Sequence, residues 1–226
     1  MLTLAQELSH AYSLARALHY ATSLYVLPRE WATAQTRAEA ALALSTEQGF
    51  QWVRPVTMQL GLVLAAQGQS EAGIAQMHQG LAVQRAMGSV HTLPVHLTLL
   101  AEAYGGIGQA EEGLCLLAEA LAMVDNMGVR YDEAELYRIK GELLLQQAVP
   151  DAPQAEACFQ QALAIARRQQ AKSWELRTAM SLSRLWQYQD KRAEARDLPA
   201  PIYGWFTEGF DTPDLQDAKA LLEELA

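Results

Sequence analysis

Leu2, Leu42, Leu81, Leu121 and Leu163 each hold the same place in a recurring helical phrase, at spacings of 40, 39, 40 and 42 residues. Around the last four the chain reads Ala41-Leu42-Ala43, Gly80-Leu81-Ala82, Ala120-Leu121-Ala122 and Ala162-Leu163-Ala164. A fixed period of this length marks stacked supersecondary units, each of which buries its apolar face only against a neighbour. The 226 residues therefore need no division into separate globular domains, because such an array grows by addition.

Two helices fit in each period. Gly68-Gln69-Ser70-Glu71-Ala72-Gly73 is echoed 40 residues later by Gly108-Gln109-Ala110-Glu111-Glu112-Gly113, as the turn between them. Gly stops the first helix, and the acids fall in the first turn of the next, where they suit the helix dipole. Apolar residues recur at three and four on either side: Leu97, Leu100 and Tyr104 before the turn, and Leu114, Leu117, Leu121 and Val124 after it. Period-two alternation is absent, so no strands are expected.

Three columns of small residues then align across the units. They are Thr22, Gly61, Ala101, Gly141 and Ser183 in the leading helix; Ala34, Gly73, Gly113, Ala155 and Ala195 early in the trailing helix; and Ala41, Gly80, Ala120 and Ala162 further along it, failing at Ile202. Gly inside a helix costs about 1 kcal/mol relative to Ala. Its return at fixed places predicts a close approach of two antiparallel helices.

These columns, the apolar or aromatic position at Tyr25, Leu64, Tyr104, Leu144 and Trp186, and the helix-turn-helix layout resemble tetratricopeptide repeats, with a period longer than the usual 34 residues. The phrases LAEAYGGIGQAEEGLCLLAEALAMV, AEACFQQALAIARRQQAKSWELR and PIYGWFTEGFDTPDLQDAKALLEELA are similar to the MalT-like C-terminal repeat region of large bacterial signalling proteins. Those proteins carry an ATPase, with an adenylate or guanylate cyclase or a transcription-regulator module ahead of it. The resemblance implies an all-α, right-handed α-solenoid of about five helix pairs and a C-terminal capping helix. The expected layout is one array over 1–226, with 1–9 the remnant of a preceding repeat helix, pairs at 10–49, 50–89, 90–129, 130–170 and 171–210, and the cap at 211–226. Because Leu2 to Leu8 is in register with the end of a trailing helix, the chain is expected to be a piece of a longer polypeptide.

The cap is expected from Thr212 as N-cap, Pro213 at the first helical position and an apolar face of Leu215, Ala218, Leu222 and Leu225. Pro199 and Pro201 fall inside the fifth trailing helix, where related proteins tend to have Leu at the first place, so a kink or break is expected near Leu198.

The formal charge of −9 disfavours nonspecific nucleic-acid binding. Between Leu163 and Asp197, however, eight bases face four acids. That window is either a solvated helix surface or a docking patch for an acidic partner. Cys115 and Cys158, at apolar helix positions without CxxC spacing, read as small core residues in a reducing compartment. No apolar run is long enough to span a bilayer and no signal peptide is evident, so a cytoplasmic, membrane-free protein is expected.

No catalytic or cofactor motif is present. There is no GxxxxGK[ST] phosphate loop, and Gly105-Gly106-Ile107-Gly108 follows a helix and reads as its stop. His10, His19, His78, His91 and His96 have no metal-ligand spacing. No nucleophile, base and orienting group assemble, so a non-enzymatic chain with no cofactor and no metal is expected. What remains is a surface. In an array of this type the leading helices line the concave side, which assigns Arg16, His19, Glu102, Glu135, Arg138, Glu142, Arg177, Arg184 and Gln187 to a groove for a protein or peptide partner. The competing function is a sensor for a small ligand or peptide inducer, which needs a deep apolar pocket. Trp205, Phe206 and Phe210 are expected to bury the capping helix.

Overall fold

The computed structural model describes Leu4 and residues 10–26, 29–50, 53–88 and 90–226, with 53–55 described by their backbone alone. By contact the chain divides into two compact units, Met1–Ile107 and Gly108–Ala226. The first holds α1 (Ala11–Val26), α2 (Trp31–Glu47), α3 (Val53–Ala66), α4 (Ser70–Ala86) and α5 (Leu93–Gly106). The second holds α6 (Ala110–Met127), α7 (Glu133–Gln146), α8 (Ala152–Gln169), α9 (Lys172–Tyr188), α10 (Arg192–Asp197), α11 (Pro199–Tyr203) and α12 (Pro213–Glu224). Among the described residues there is no strand. The remnant helix expected at 1–9 lies, apart from Leu4, outside the described residues.

The small-residue columns are deeply packed. Thr22, Ala34, Ala41, Ala101, Ala120, Ala155, Ala162, Ser183 and Ala195 are each 0% exposed. The landmark leucines differ among themselves: Leu81 and Leu163 are buried, while Leu42 and Leu121 are half-buried. In the second pair the backbones themselves meet. A Cβ on Gly61 would lie 2.6 Å from the Gly73 carbonyl oxygen and 3.0 Å from the Met77 nitrogen, and one on Gly73 would lie 2.7 Å from the Ala65 nitrogen. In the fourth pair Gly141 makes room for a side chain instead, since a Cβ there would sit 2.5 Å from the buried ring of Phe159.

A left-handed residue recurs in the loops after the trailing helices: Gly49, Gly88, Gly128, Gln170 and Gly209, with φ between 55° and 76°. At Gly128 the reason is plain, because its N–H returns to the Val124 carbonyl (2.9 Å) and closes α6. Gln170 does the same work for α8, donating to Ala166 and Arg167, but carries a Cβ in a region that disfavours one. Within the pairs Gly68, Gly108 and Asp190 take the corresponding role.

The fifth trailing helix breaks at Leu198, with α11 restarting on Pro199. Proline supplies no N–H and clashes with the preceding turn, so α10 cannot run through it. The C-terminal α12 then runs alongside α9. Arg177 bonds Asp214 (2.7 Å) and Gln187 bonds Glu224 (2.6 Å), both pairs 37 residues apart, so the cap occupies the place a sixth leading helix would take. Its buried face is Leu215, Ala218, Leu221 and Leu225, packed with Leu176, Leu185 and Ile202. Leu221 lies deeper than Leu222.

Three local expectations change. Thr212 holds the N-cap position of α12 as expected, but its hydroxyl makes no capping bond and donates to the Gly209 carbonyl (2.6 Å). Of the three terminal aromatics only Phe206 packs on the core; Trp205 is 60% and Phe210 47% exposed. Cys158 is buried, but Cys115 is exposed, on the side of α6 opposite Leu117, Ala120 and Val124.

Candidate partner-binding surface

In the second unit four of the groove residues expected from the sequence meet. Arg138 grips Glu135 through two parallel hydrogen bonds (2.8 and 2.7 Å) and reaches Glu142 with its third nitrogen (2.6 Å). The spacing explains this: 135, 138 and 142 are three and four residues apart on one face of α7. From α9, Ser181 donates to Glu142 (2.8 Å), and Arg177 approaches Glu135 (3.6 Å) while bonding Asp214 of α12. One polar network thus ties α7, α9 and the cap together.

Burial decides how this network behaves. Burial alone would raise the Glu135 carboxyl, but Arg138 and then Arg177 outweigh it and hold the group below its ordinary value. Arg177 is drawn down by burial and held above its ordinary value by Glu135 and Asp214. Asp132, just before α7, has no such cation among the described residues. Burial, then the charge of Glu135, pushes its carboxyl up to about 6. A buried pair of this kind contributes little over an apolar replacement, yet removing one partner costs about 3–5 kcal/mol. The network fixes geometry more than it adds stability.

The other five candidates stand differently. Arg184 is exposed on α9 and Glu102 on α5, while Gln187 is engaged by Glu224 of the cap. In the first unit Arg16 lies 5.7 Å from the Tyr20 ring centre and bonds its hydroxyl (3.3 Å). His19 is half-buried, and burial holds its imidazole below its ordinary value despite a bond with Gln59. Gln59 also donates to Ser23 (2.5 Å), joining α3 to α1 as Ser181 joins α9 to α7.

Several contacts lay outside the sequence reading. Tyr104 bonds His78 of α4 (2.7 Å), and Trp186 donates to Glu156 of α8 (2.9 Å). Tyr104 and Trp186 therefore each anchor a polar tip on the trailing helix of the preceding pair. Glu133 and Glu175, 42 residues apart in the first turns of α7 and α9, are buried, each beside two cations. Their equal register was the available signal. Among the described residues no three His, Cys, Asp or Glu side chains converge as metal ligands, and no helix is long and apolar enough to cross a membrane. The first unit has an open cavity of about 560 Å³ lined by Leu42, Ser45, Thr46, Phe50, Thr57 and Gln76.

No protein-family model and no curated protein sequence matches the chain. Solved structures do. A kinesin light chain of Podosopora anserina with nearly identical TPR-like repeats aligns at a TM-score of 0.62 and 18% identity, covering 86% of this chain and 95% of that one. BtubC (BKLC) from P. vanneervenii aligns at 0.64 and 16%, covering 99% and 83%. The Signal Transduction ATPase with Numerous Domains of Pyrococcus horikoshii, which has a tetratricopeptide repeat sensor, aligns at 0.67 and 12% over 95% of this chain and 33% of that protein. At these identities the likeness shows the fold: an all-α solenoid of TPR-like helix pairs.

Proposed function

We propose that the chain is a non-catalytic protein–protein interaction scaffold, the repeat region of a bacterial cytoplasmic signalling protein, which binds a protein or peptide partner along its leading helices. The observation that carries this reading is the α7–α9–α12 network. Glu135, Arg138, Glu142 and Arg177 hold one another, so successive leading helices present a preorganised face that pays little ordering cost on binding. In the second unit Arg184 and Gln187 are the side chains that would meet the partner, while the four networked residues hold that surface in shape; in the first unit, taken by itself, Arg16, His19 and Glu102 are the candidate contacts. The repeat sensor of the Pyrococcus ATPase supports a place beside an attached ATPase, cyclase or transcription-regulator module. Affinity capture with the full chain, followed by titration of the purified partner, tests it: Arg184→Glu should weaken binding about tenfold.

The second reading is a small-ligand or peptide inducer sensor. The cavity of the first unit favours it, since Ser45 is fully buried there with its hydroxyl unpartnered among the described residues. A metabolite that raises the melting temperature of the chain, with loss of the effect in Ser45→Val and no protein captured, would replace the scaffold reading with this one.

A further inference from the structure

The ends of α7 and α9 in the second unit carry an unbroken row of charge. Glu133 is 7% exposed and lies beside Arg130 (2.6 Å) and Arg168 (3.7 Å). Glu175, 5% exposed, lies between Arg167 (2.9 Å) and Lys172 (2.6 Å). Arg167 and Arg168 are consecutive at the end of α8 and reach to opposite sides, joining the two clusters. Lys172 extends the row to the face of Trp205, 5.9 Å from its ring centre. The Gln169 amide, bonded to the Arg130 carbonyl (2.6 Å), ties the two loops together.

The charges do not balance. Two buried carboxylates are met by four cations, and the exposed Asp125 beside Arg130 (3.1 Å) is the one further acid paired with them among the described residues. The cations remain open: the side chains of Arg130, Arg167 and Arg168 are 45%, 54% and 66% exposed. Arg167 commits only its Nε to Glu175, and Arg168 stands beyond hydrogen-bond distance of Glu133, so guanidinium N–H groups of both point outward with no acceptor among the described residues. A planar guanidinium with unused donors is suited to take a carboxylate bidentately.

We propose that this row docks a carboxylate-rich peptide segment of a partner protein, with an apolar or aromatic side chain of that segment resting on Trp205. The proposal rests on the scaffold reading for the class of partner and adds its chemistry. A protein segment fits better than a nucleic acid. Residues 108–226 contain 20 acids and 12 bases, so a duplex, charged every ~1.7 Å along its axis, would set phosphates against the surrounding carboxylates. A short acidic strand would stay within the row.

The test is fluorescence polarisation with the full chain and a labelled ten-residue peptide of alternating aspartate and glutamate around one phenylalanine. An amide version of the same peptide and a 20-base-pair DNA duplex are the comparisons. Saturable binding of the acidic peptide is expected, weakening roughly tenfold in Arg167→Gln/Arg168→Gln and about threefold in Trp205→Ala, and unchanged in Arg196→Gln, which removes a charge elsewhere. Trp205→Ala, at an exposed position, serves if the double variant melts early. Absence of saturable binding overturns the proposal, as does equal binding by the double variant or tighter binding of the duplex. If the peptide fails while a captured partner still loses affinity in Arg184→Glu, this row is refuted and the scaffold reading stands.

Discussion

Gly61→Ala perturbs a close backbone-to-backbone helix contact with one methyl group. In isolation the change should favour α3 by about 1 kcal/mol, since Ala is the better helix former. In place, the new Cβ would lie 2.6 Å from the Gly73 carbonyl oxygen and 3.0 Å from the Met77 nitrogen, both backbone atoms of α4, and would strike the buried side chain of Met77. An ordinary carbon contact needs about 3.5–4.0 Å, so the helices must part by roughly an ångström and lose dispersion along their shared face. Overpacking of this kind costs about 1–3 kcal/mol, and backbone cannot yield as a side-chain tip does, so the upper end applies. The expected net loss is about 2 kcal/mol, or a drop in melting temperature of roughly 5–10 °C for a unit of this size. Gly106→Ala is the control. A Cβ there meets nothing within 4 Å, so that variant should melt at or above the parent. Thermal unfolding followed by circular dichroism, with urea titration as a second measure, gives both values. Equal melting of Gly61→Ala and the parent would refute the close-approach explanation of the small-residue columns.

Gln170→Gly should stabilise the chain by up to about 1 kcal/mol, because Gln170 keeps a left-handed backbone with a Cβ attached; urea titration checks it. Asp132→Asn should stabilise by about 1–2 kcal/mol at pH 8, after allowance for partial exposure. The folded carboxyl is raised from 3.8 to about 6, so its burden is absent below about pH 4 and full above about pH 6, and the variant's advantage should vanish at pH 4. Glu135→Gln should cost about 1–3 kcal/mol at pH 7 through the lost charge-assisted bonds, with Arg138 keeping Glu142 and Arg177 keeping Asp214. Because Glu135 is held below its ordinary 4.5, that contribution is present above pH 4.5 and is lost as pH falls, so parent and variant should converge in acid melts.

The repeat, the helix turns and the break at Leu198 were legible because each rests on local chemistry: a fixed period, a glycine in a left-handed turn, a proline without an N–H. Glu135, Arg138 and Glu142 were legible as one face for the same reason. Their partners were not. Asp214 and Ser181 come from elements 37 and 39 residues away from the atoms they bond, and only helix stacking sets that distance. Trp205 and Phe210 misled because an aromatic run near a cap looks like core in sequence, while its exposure depends on where the loop leaves α11. Cys115 misled because an apolar neighbourhood does not fix which side of α6 a residue occupies. The buried Glu133 and Glu175 show the opposite error: charge in a first turn reads as surface until the cations beside it are located.

The central claim is that a partner protein is held by the leading helices and the loops that precede them. Hydrogen–deuterium exchange on the full chain, with and without the purified captured partner, tests it most directly. Slowed exchange should appear in α7, α9, the last turn of α8 and the connections at 128–132 and 204–212, with the trailing α2, α4 and the rest of α8 unchanged. Protection confined to the trailing helices, or to the residues around the 42–79 cavity, would contradict it.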